Sequence, residues 1–470
     1  MRMRLLNNLR NWIANALRVE EPAETAALQE TSERDLHTLD SWRQMLSGLP
    51  RTIECPQMTL FGRDEEGAIF KGSGRIEIVS TTKMRFYMHA APSVDLRQAL
   101  EVFNRQKSQP YDARDLLRLF ATDYRGVEWV GGYTQVDFFA DHNNGWPLSG
   151  EIDALHALAN GYWVSKRSNV ELLLVPPIDL PMSEPLTTTA FIGERRILAS
   201  RGPGQHVIEV LGTSITFSYE PSGEALWITA DAGGALSHPF LENWLTEPLR
   251  ILLGVPVYPR MVARNLGDGT AHVWLRPSPR HREPSAIGLL QPFAIEHGRA
   301  EAFWKLYADI LTFIVKAGSF EANPLTRYYD ELAEAQLGSR WVLTLTLAGA
   351  AEALANELMT DDDRRSEFSD ELLASMKKQI EAWKDDPALR GRMLSNLGMV
   401  SKRSVVAFMR QLGKAGTLEA AHVQTWYEIR NSVMHGNLVE PWSSEEGDAR
   451  LHQMLDLLHA LTRARIAAGR

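Results

Sequence analysis

The sequence predicts an α+β protein, with a β-rich N-terminal region followed by an all-α helical bundle. Two observations predict it. Between residues 50 and 285, short alternating or β-branched runs are separated by Gly, Pro and Thr, which is the period of strands and turns. From Glu301 almost to the end, apolar residues recur at the helical period instead. The stretch Pro279–Pro284 and the pair Gln291-Pro292 separate the two patterns. The expected division is a helical segment over 1–49, a β-rich regulatory domain over 50–290 and a helical domain over 300–470.

The N-terminus carries Arg2, Arg4, Arg10 and Arg18 with no acid before Glu20. Leu5, Leu9, Trp12, Ile13 and Ala16 fall at helical spacing, so this segment reads as an amphipathic helix. It lacks the uninterrupted apolar centre and cleavage site of a signal peptide; a helix docked on the body or on a partner is expected, with a transit peptide or a membrane-surface helix as the alternative. The expected strands begin with Ala68–Phe70, Arg75–Val79 and Met84–Met88, set apart by Gly72, Gly74 and Thr81-Thr82. Val127–Val130 and Thr134–Phe139 flank Gly131-Gly132 in the manner of a hairpin. Val170–Val175, His206–Val210, Ser214–Tyr219, Ala225–Thr229, Val255–Val262 and Ala271–Leu275 complete the set. At least one helix interrupts them, with Phe240, Leu241, Trp244, Leu245, Leu249 and Leu252 at helical spacing. Further helices are expected near 301–317, 324–337, 340–359, 367–384, 401–412, 418–435 and 444–467. Asn323-Pro324 gives a cap signal, Thr417 is expected to cap the next-to-last helix, and Ser443-Ser444-Glu445-Glu446 reads as a capping box.

Composition excludes several classes. With 44% hydrophobic and 23% charged residues, wholesale disorder is ruled out. The single cysteine, Cys55, excludes a disulfide framework and any zinc site needing two thiolates, and it fits a reducing cytoplasm. The apolar run Trp341–Leu358 is interrupted by Thr, Gly, Asn and Glu, so no membrane span is expected. The net charge of −9 argues against indiscriminate coating of nucleic acid. No phosphate loop, nucleophile elbow, His-Glu-x-x-His or dinucleotide fingerprint is present, and no cofactor is expected. Asp361-Asp362-Asp363 reads as a solvated cluster at a helix N-terminus, and His452 and His459 as packing or surface residues; no metal site is expected.

The constellation that carries chemistry is Arg430-Asn431-Ser432-Val433-Met434-His435-Gly436. The bare spacing Arg-x4-His also occurs at Arg201…His206 and Arg276…His281, but those segments carry Pro203 or Pro277 and Pro279, which no helix tolerates. In the third copy Trp426, Ile429 and Val433 form the core face of a helix. Asn431 and His435 are then about 40° apart around the axis, and Arg430 is offset by about 140° but has the longest reach. Gly436 suits the left-handed position after a helix, which puts His435 at the C-terminus, where the dipole favours imidazolium. A histidine for proton transfer and a guanidinium for an anionic phosphorane suit metal-free RNA cleavage. Such cleavage uses the ribose 2′-OH, leaves a 2′,3′-cyclic phosphate and spares DNA. The alternative on spacing alone is an Arg and His that cap the helix and pair with acids.

Arg-Asn-x-x-x-His-Gly at the end of a buried helix, followed by one long helix, resembles the HEPN superfamily of helical ribonucleases. A β-rich N-terminal region before such a domain resembles the ApeA-like anti-phage proteins in particular, as does the stretch from Phe240-Leu241-Glu242-Asn243-Trp244 to Leu252-Leu253-Gly254-Val255-Pro256-Val257. The resemblance covers about 140 residues of the helical part and is one of order and texture over 50–285. It implies that Arg430 and His435 are the catalytic pair, with Asn431 as the polar residue after the arginine. It also implies an acid on an earlier helix, for which Glu352 matches; a carboxylate in so apolar a stretch needs a partner, and Arg430 would serve. Further implied are a two-fold homodimer, which supplies a second proton-transfer group, and a role in abortive infection with a phage-derived trigger at the N-terminal domain.

Between Asp386 and Glu419 there is no acid, while Arg390, Arg392, Lys402, Arg403, Arg410 and Lys414 are all cationic. Such a local footprint is what phosphate contact requires, and it stands beside the motif. Phe408 is the one aromatic side chain there, so recognition would rest on phosphates and folded shape, as in a structured RNA such as tRNA. The alternative for the segment is an ordinary basic helix face balanced by nearby acids. Two other functions fit the chain: a non-catalytic interaction module, and the toxin of a toxin–antitoxin pair.

Overall fold

The computed structural model describes residues 42, 45–46, 48–62, 67–109, 112, 115–138, 146–160, 169–192, 195–220, 223–237, 240–279, 283–290, 300–318, 322–366 and 368–469. The amphipathic helix expected near the N-terminus lies outside them. The architecture is α+β, a β-rich N-terminal region followed by an all-helical C-terminal region. Contacts divide the chain into two compact units, Met1–Thr246 with Val257–Arg282 and Glu247–Pro256 with Glu283–Arg470. Among the described residues no helix is long and apolar enough to cross a membrane.

The first unit is built on one antiparallel sheet. Its elements are β1 (Arg51–Gly62), β2 (Ala68–Ser80), β3 (Lys83–Pro92), α1 (Leu96–Ser108), β4 (Leu117–Thr122), β5 (Glu128–Thr134), β6 (Asp137–Phe138), β7 (Trp146–Glu151) and β8 (Leu155–Asn160). After these come β9 (Asn169–Leu174), β10 (Glu184–Ile192), β11 (Arg195–Val210), β12 (Thr213–Tyr219), β13 (Leu226–Asp231), α2 (Leu241–Leu253, of which the residues from Glu247 belong to the second unit), β14 (Met261–Asn265) and β15 (Thr270–Leu275). The spatial order is β10-β11-β12-β13-β9-β14-β15-β8-β5-β4-β1-β2-β3-β7-β6. Strands such as β12 alternate buried and exposed residues, as a sheet with one covered face must. Leu60, Ile76, Ile78, Phe86, Leu119 and Leu155 are fully buried in the core of this unit, and Trp42 packs on Trp129 with ring centroids 5.2 Å apart.

Several strand expectations are corrected. Gly72 and Gly74 do not separate strands; both lie inside β2, where a Cβ would collide with the His89 and Tyr87 carbonyls of β3. Gly131-Gly132 is not a hairpin turn but sits inside β5, beside a register shift against β4. Val255–Val262 is a strand only from Met261, because Pro256 and Pro259 keep the preceding residues irregular. The expected strands omitted β4, β7, β8 and β10, and also β1, whose alternation is broken at Pro56 and Gln57 by a register shift between Cys55 and Met58.

The helices of the second unit are α3 (Ala300–Ala317), α4 (Pro324–Ala335), α5 (Arg340–Leu358), α6 (Asp370–Ala382), α7 (Pro387–Val400), α8 (Val405–Lys414), α9 (Ala420–Met434) and α10 (Glu445–Ala468). Their core holds Tyr307, Tyr329, Leu347, Leu354, Trp426 and Leu461, each nearly or wholly buried. Asn323 caps α4 by accepting from the Leu325 N–H, with Pro324 in the first turn as expected. Thr417 does not cap α9: the cap position is Glu419, whose side chain makes no capping bond. Ser444 caps α10 by accepting from the Gly447 N–H, so only half of the expected box forms, with no acid at the third position. The helix expected over 401–412 starts at Val405, after the Ser404 cap, and α7 was not foreseen. α6 and α7 pack on one another and contain no buried residue.

Candidate functional site

The motif helix α9 is fixed to α5 by its largest side chain. Trp426 is fully buried, and its Nε1 donates to the Ala348 carbonyl at 3.0 Å. Four residues later on each helix, Arg430 meets Glu352. Arg430 Nε donates to Glu352 Oε2 at 3.1 Å and Nη2 to Oε1 at 3.0 Å, a two-pronged ion pair. Arg430 Nη1 also donates to Asn431 Oδ1 at 3.3 Å. A guanidinium carries five N–H donors, so about two remain for a ligand once these three are engaged. The side chains of Arg430 and Glu352 are 32% and 31% exposed, so the pair opens to solvent on one side.

His435 occupies the C-cap of α9 and is exposed. Gly436 follows at φ 82°. The Gly436 N–H donates to the Val433 carbonyl at 3.0 Å and the Asn437 N–H to the Ser432 carbonyl at 3.1 Å, which closes a Schellman turn. Trp341 Nε1, in the first turn of α5, donates to the Asn437 carbonyl at 3.1 Å and holds the chain leaving the motif. His435 thus stands at a helix C-terminus, fixed by its backbone, with an imidazole that makes no hydrogen bond within the described residues. Together these groups present a hydrogen-bonding cation, an amide and an unengaged imidazole at one helix end.

The other two copies of the spacing are arranged differently. Arg201 and His206 both lie on β11. Arg276, just after β15, donates to Glu242 at 3.1 Å; His281 lies outside the described residues.

The six cations are spread over several elements. Arg390 and Arg392 ride on α7, and Arg390 Nη1 donates to the Trp383 carbonyl at 3.0 Å. Lys402 pairs through its backbone with Arg365, and Arg403 Nη1 donates to Gln411 at 2.7 Å. Lys414 ends α8 and is exposed. Arg410, also on α8, lies over the ring of Tyr427 on α9 at 5.1 Å from its centroid. Phe408 is 4% exposed and cannot stack on a base. Tyr427 is the aromatic residue that sequence reading missed. Its signal was present: it precedes Asn431 by four positions, the spacing of neighbours on one helix face.

Asp361, Asp362 and Asp363 do not stand at a helix N-terminus, since Ser369 caps α6. They form a turn in which Asp363 accepts from the Thr360 amide and hydroxyl, and those bonds lower its pKa. His452 is exposed, whereas buried His459 donates from Nε2 to the Ile287 carbonyl at 2.9 Å; burial lowers its pKa. Exposed apolar side chains flank the motif, with Met434 60%, Leu438 81% and Trp442 63% exposed. No protein-family model, curated protein or solved structure matches the chain.

Proposed function

We propose that this protein is a metal-independent endoribonuclease that acts in a two-fold homodimer. The observation that carries the reading is the two-pronged Glu352–Arg430 pair on a helix buried along one face by Val423, Trp426 and Val433, with exposed His435, unengaged among the described residues, at its C-cap. A guanidinium steered by a carboxylate, with two N–H groups free, suits a phosphate that gains charge. An exposed imidazole at a helix end can give a proton to a bound ligand or take one from it.

In the proposed reaction the ribose 2′-oxygen loses its proton and attacks phosphorus, the P–O5′ bond breaks, and the 5′-oxygen takes up a proton. The products are a 2′,3′-cyclic phosphate and a 5′-hydroxyl. Two proton transfers call for two groups, and His435 of the partner subunit would supply the second. The exposed Met434, Leu438 and Trp442 beside the motif are apolar area that pairing of two copies would cover. Arg390, Arg392, Lys402, Arg403, Arg410 and Lys414 would meet phosphates of a structured RNA, with tRNA as one substrate that fits. The likeness to ApeA-like proteins extends the reading to anti-phage abortive infection in the cytoplasm, with the β-rich unit regulating the nuclease in response to a phage-derived trigger.

A second reading, a non-catalytic interaction module, draws on the exposed apolar side chains of α6 and α7, among them Leu372, Met376, Leu389 and Met393. Sequencing of RNA 5′-ends after induction of wild type, Arg430→Ala and His435→Ala separates the two. New 5′-hydroxyl ends in wild type alone are the expected result. Equal ends in all three samples would overturn the catalytic reading. Cleavage by purified protein is expected to persist in excess EDTA, and its loss there with recovery in Mg²⁺ would overturn metal independence.

A further inference from the structure

We infer that Arg410, whose guanidinium lies over the Tyr427 ring, is a substrate-positioning residue that holds a phosphate beside the scissile one; this rests on the ribonuclease reading. Of the six cations, Arg410 is the one held against the motif helix, its guanidinium 5.1 Å from the Tyr427 ring centroid. Arg390 and Arg403 instead spend N–H groups on the Trp383 carbonyl and Gln411. Among the described residues the Arg410 guanidinium makes no ion pair or hydrogen bond, so its N–H edge is available there. Cation–π attraction to the ring restricts where the guanidinium can go, and its N–H edge can then meet a phosphate in a two-pronged contact. Ordering it beforehand lowers the cost of ordering on binding.

The register of α9 places this contact. Asn431 follows Tyr427 by about 40° around the axis and about 6 Å along it, and His435 by about 80° and about 12 Å. Arg430 lies three residues from Tyr427, the other neighbouring position on the helix surface. Tyr427, Asn431 and His435 therefore share one stripe, with Arg410 laid across its start. Lys414 stands one turn beyond Arg410 on α8 and extends the same run of charge. A strand reaching the Arg430–His435 end along this stripe passes Arg410 first.

Steady-state cleavage of a 5′-fluorescein RNA oligonucleotide by the full-length protein tests this. Arg410→Ala is expected to raise KM about tenfold with kcat within about twofold, and to reduce the salt slope of binding by about one. Tyr427→Leu is expected to raise KM similarly, and the double variant no further, because both changes remove one contact. Arg410→Lys, which keeps the charge but not the flat fork, is expected to recover only part of the loss. Lys384→Ala, an exposed single-charge control, is expected to match wild type. If wild type cleaves RNA and Arg410→Ala keeps a wild-type KM, or loses no more than the Lys384 control, the inference is overturned while the ribonuclease reading stands. If wild type cleaves no RNA, that reading falls and takes this one with it.

Discussion

Glu352 and Arg430, 78 residues apart, are joined by two hydrogen bonds of 3.0 and 3.1 Å that fix the guanidinium in one plane on the surface of α9. With about a third of each side chain exposed, the pair contributes about 1 kcal/mol or less to stability, and its value is orientation. Glu352→Gln keeps one acceptor but loses the charge, and is expected to cut kcat about tenfold. Glu352→Ala frees the guanidinium and is expected to cost about a hundredfold, the scale seen when a group supporting a charged ligand is removed. Thermal melting of both variants should stay close to wild type. A drop in melting temperature that tracks the loss of activity would make Glu352 a structural residue instead.

Asn431 offers Oδ1 to Arg430 at 3.3 Å, the longest bond in the cluster. Arg430 keeps both bonds to Glu352 without it, so Asn431→Ala is expected to lower kcat only about threefold to tenfold. Asn431→Asp retains an acceptor for Arg430 but adds a negative charge where a phosphate must lie, and should be the worse variant. Side-by-side kinetics at two salt concentrations check the order. The Asp deficit is expected to shrink at high salt, as a screened repulsion must.

Much of this site was legible because it is local. Arg430, Asn431, His435 and Gly436 share one helix and its terminus, and the helical period alone places them. Glu352 was reached through the resemblance, which implies an acid on an earlier helix, supported by the need of a carboxylate among Ala348, Ala350, Ala351 and Leu354 for a partner. The contact between Arg410 and Tyr427 was not legible in the same way. It depends on how α8 packs on α9, and periodicity carries no such information. In the sheet, Gly72 and Gly74 were misread because a glycine that lets two backbones approach looks, in sequence, like one that turns the chain. α7 was missed although Asp386 caps it by accepting from the Ala388 and Leu389 amides. Without a buried face it has no apolar stripe to find.

Gly436 tests how tightly the histidine is held. A Cβ built there meets nothing within 4 Å, so an alanine costs only the left-handed backbone at φ 82°, about 1 kcal/mol. The Schellman bonds to Val433 and Ser432 would loosen, and His435 with them. Gly436→Ala is expected to melt only slightly lower yet lose activity severalfold, and Gly436→Asn, which tolerates this conformation better, to recover part of it. Equal activity in all three proteins would show that the turn does not place the imidazole.

The β-rich unit carries its own pH dependence, through a pair the motif does not involve. His156 Nε2 and His272 Nδ1 lie 2.9 Å apart on neighbouring strands β8 and β15, and one must donate while the other accepts. Burial pushes both down to about 4, helped for His156 by His272 and Arg118 and for His272 by Arg264, with Asp268 opposing. Both folded values lie below the ordinary 6.5, so the unfolded chain takes up protons first as pH falls. The stabilisation is complete above about 6.5 and is lost as pH falls toward 4, where two imidazolium rings would face each other with no acceptor between them. The urea midpoint of this unit, followed by tryptophan fluorescence, is expected to hold from pH 8 to 7 and to decline steadily between pH 6.5 and 4.5. In His156→Gln/His272→Gln neither group titrates, and that decline should flatten. A double variant as acid-sensitive as wild type would assign the effect to other groups.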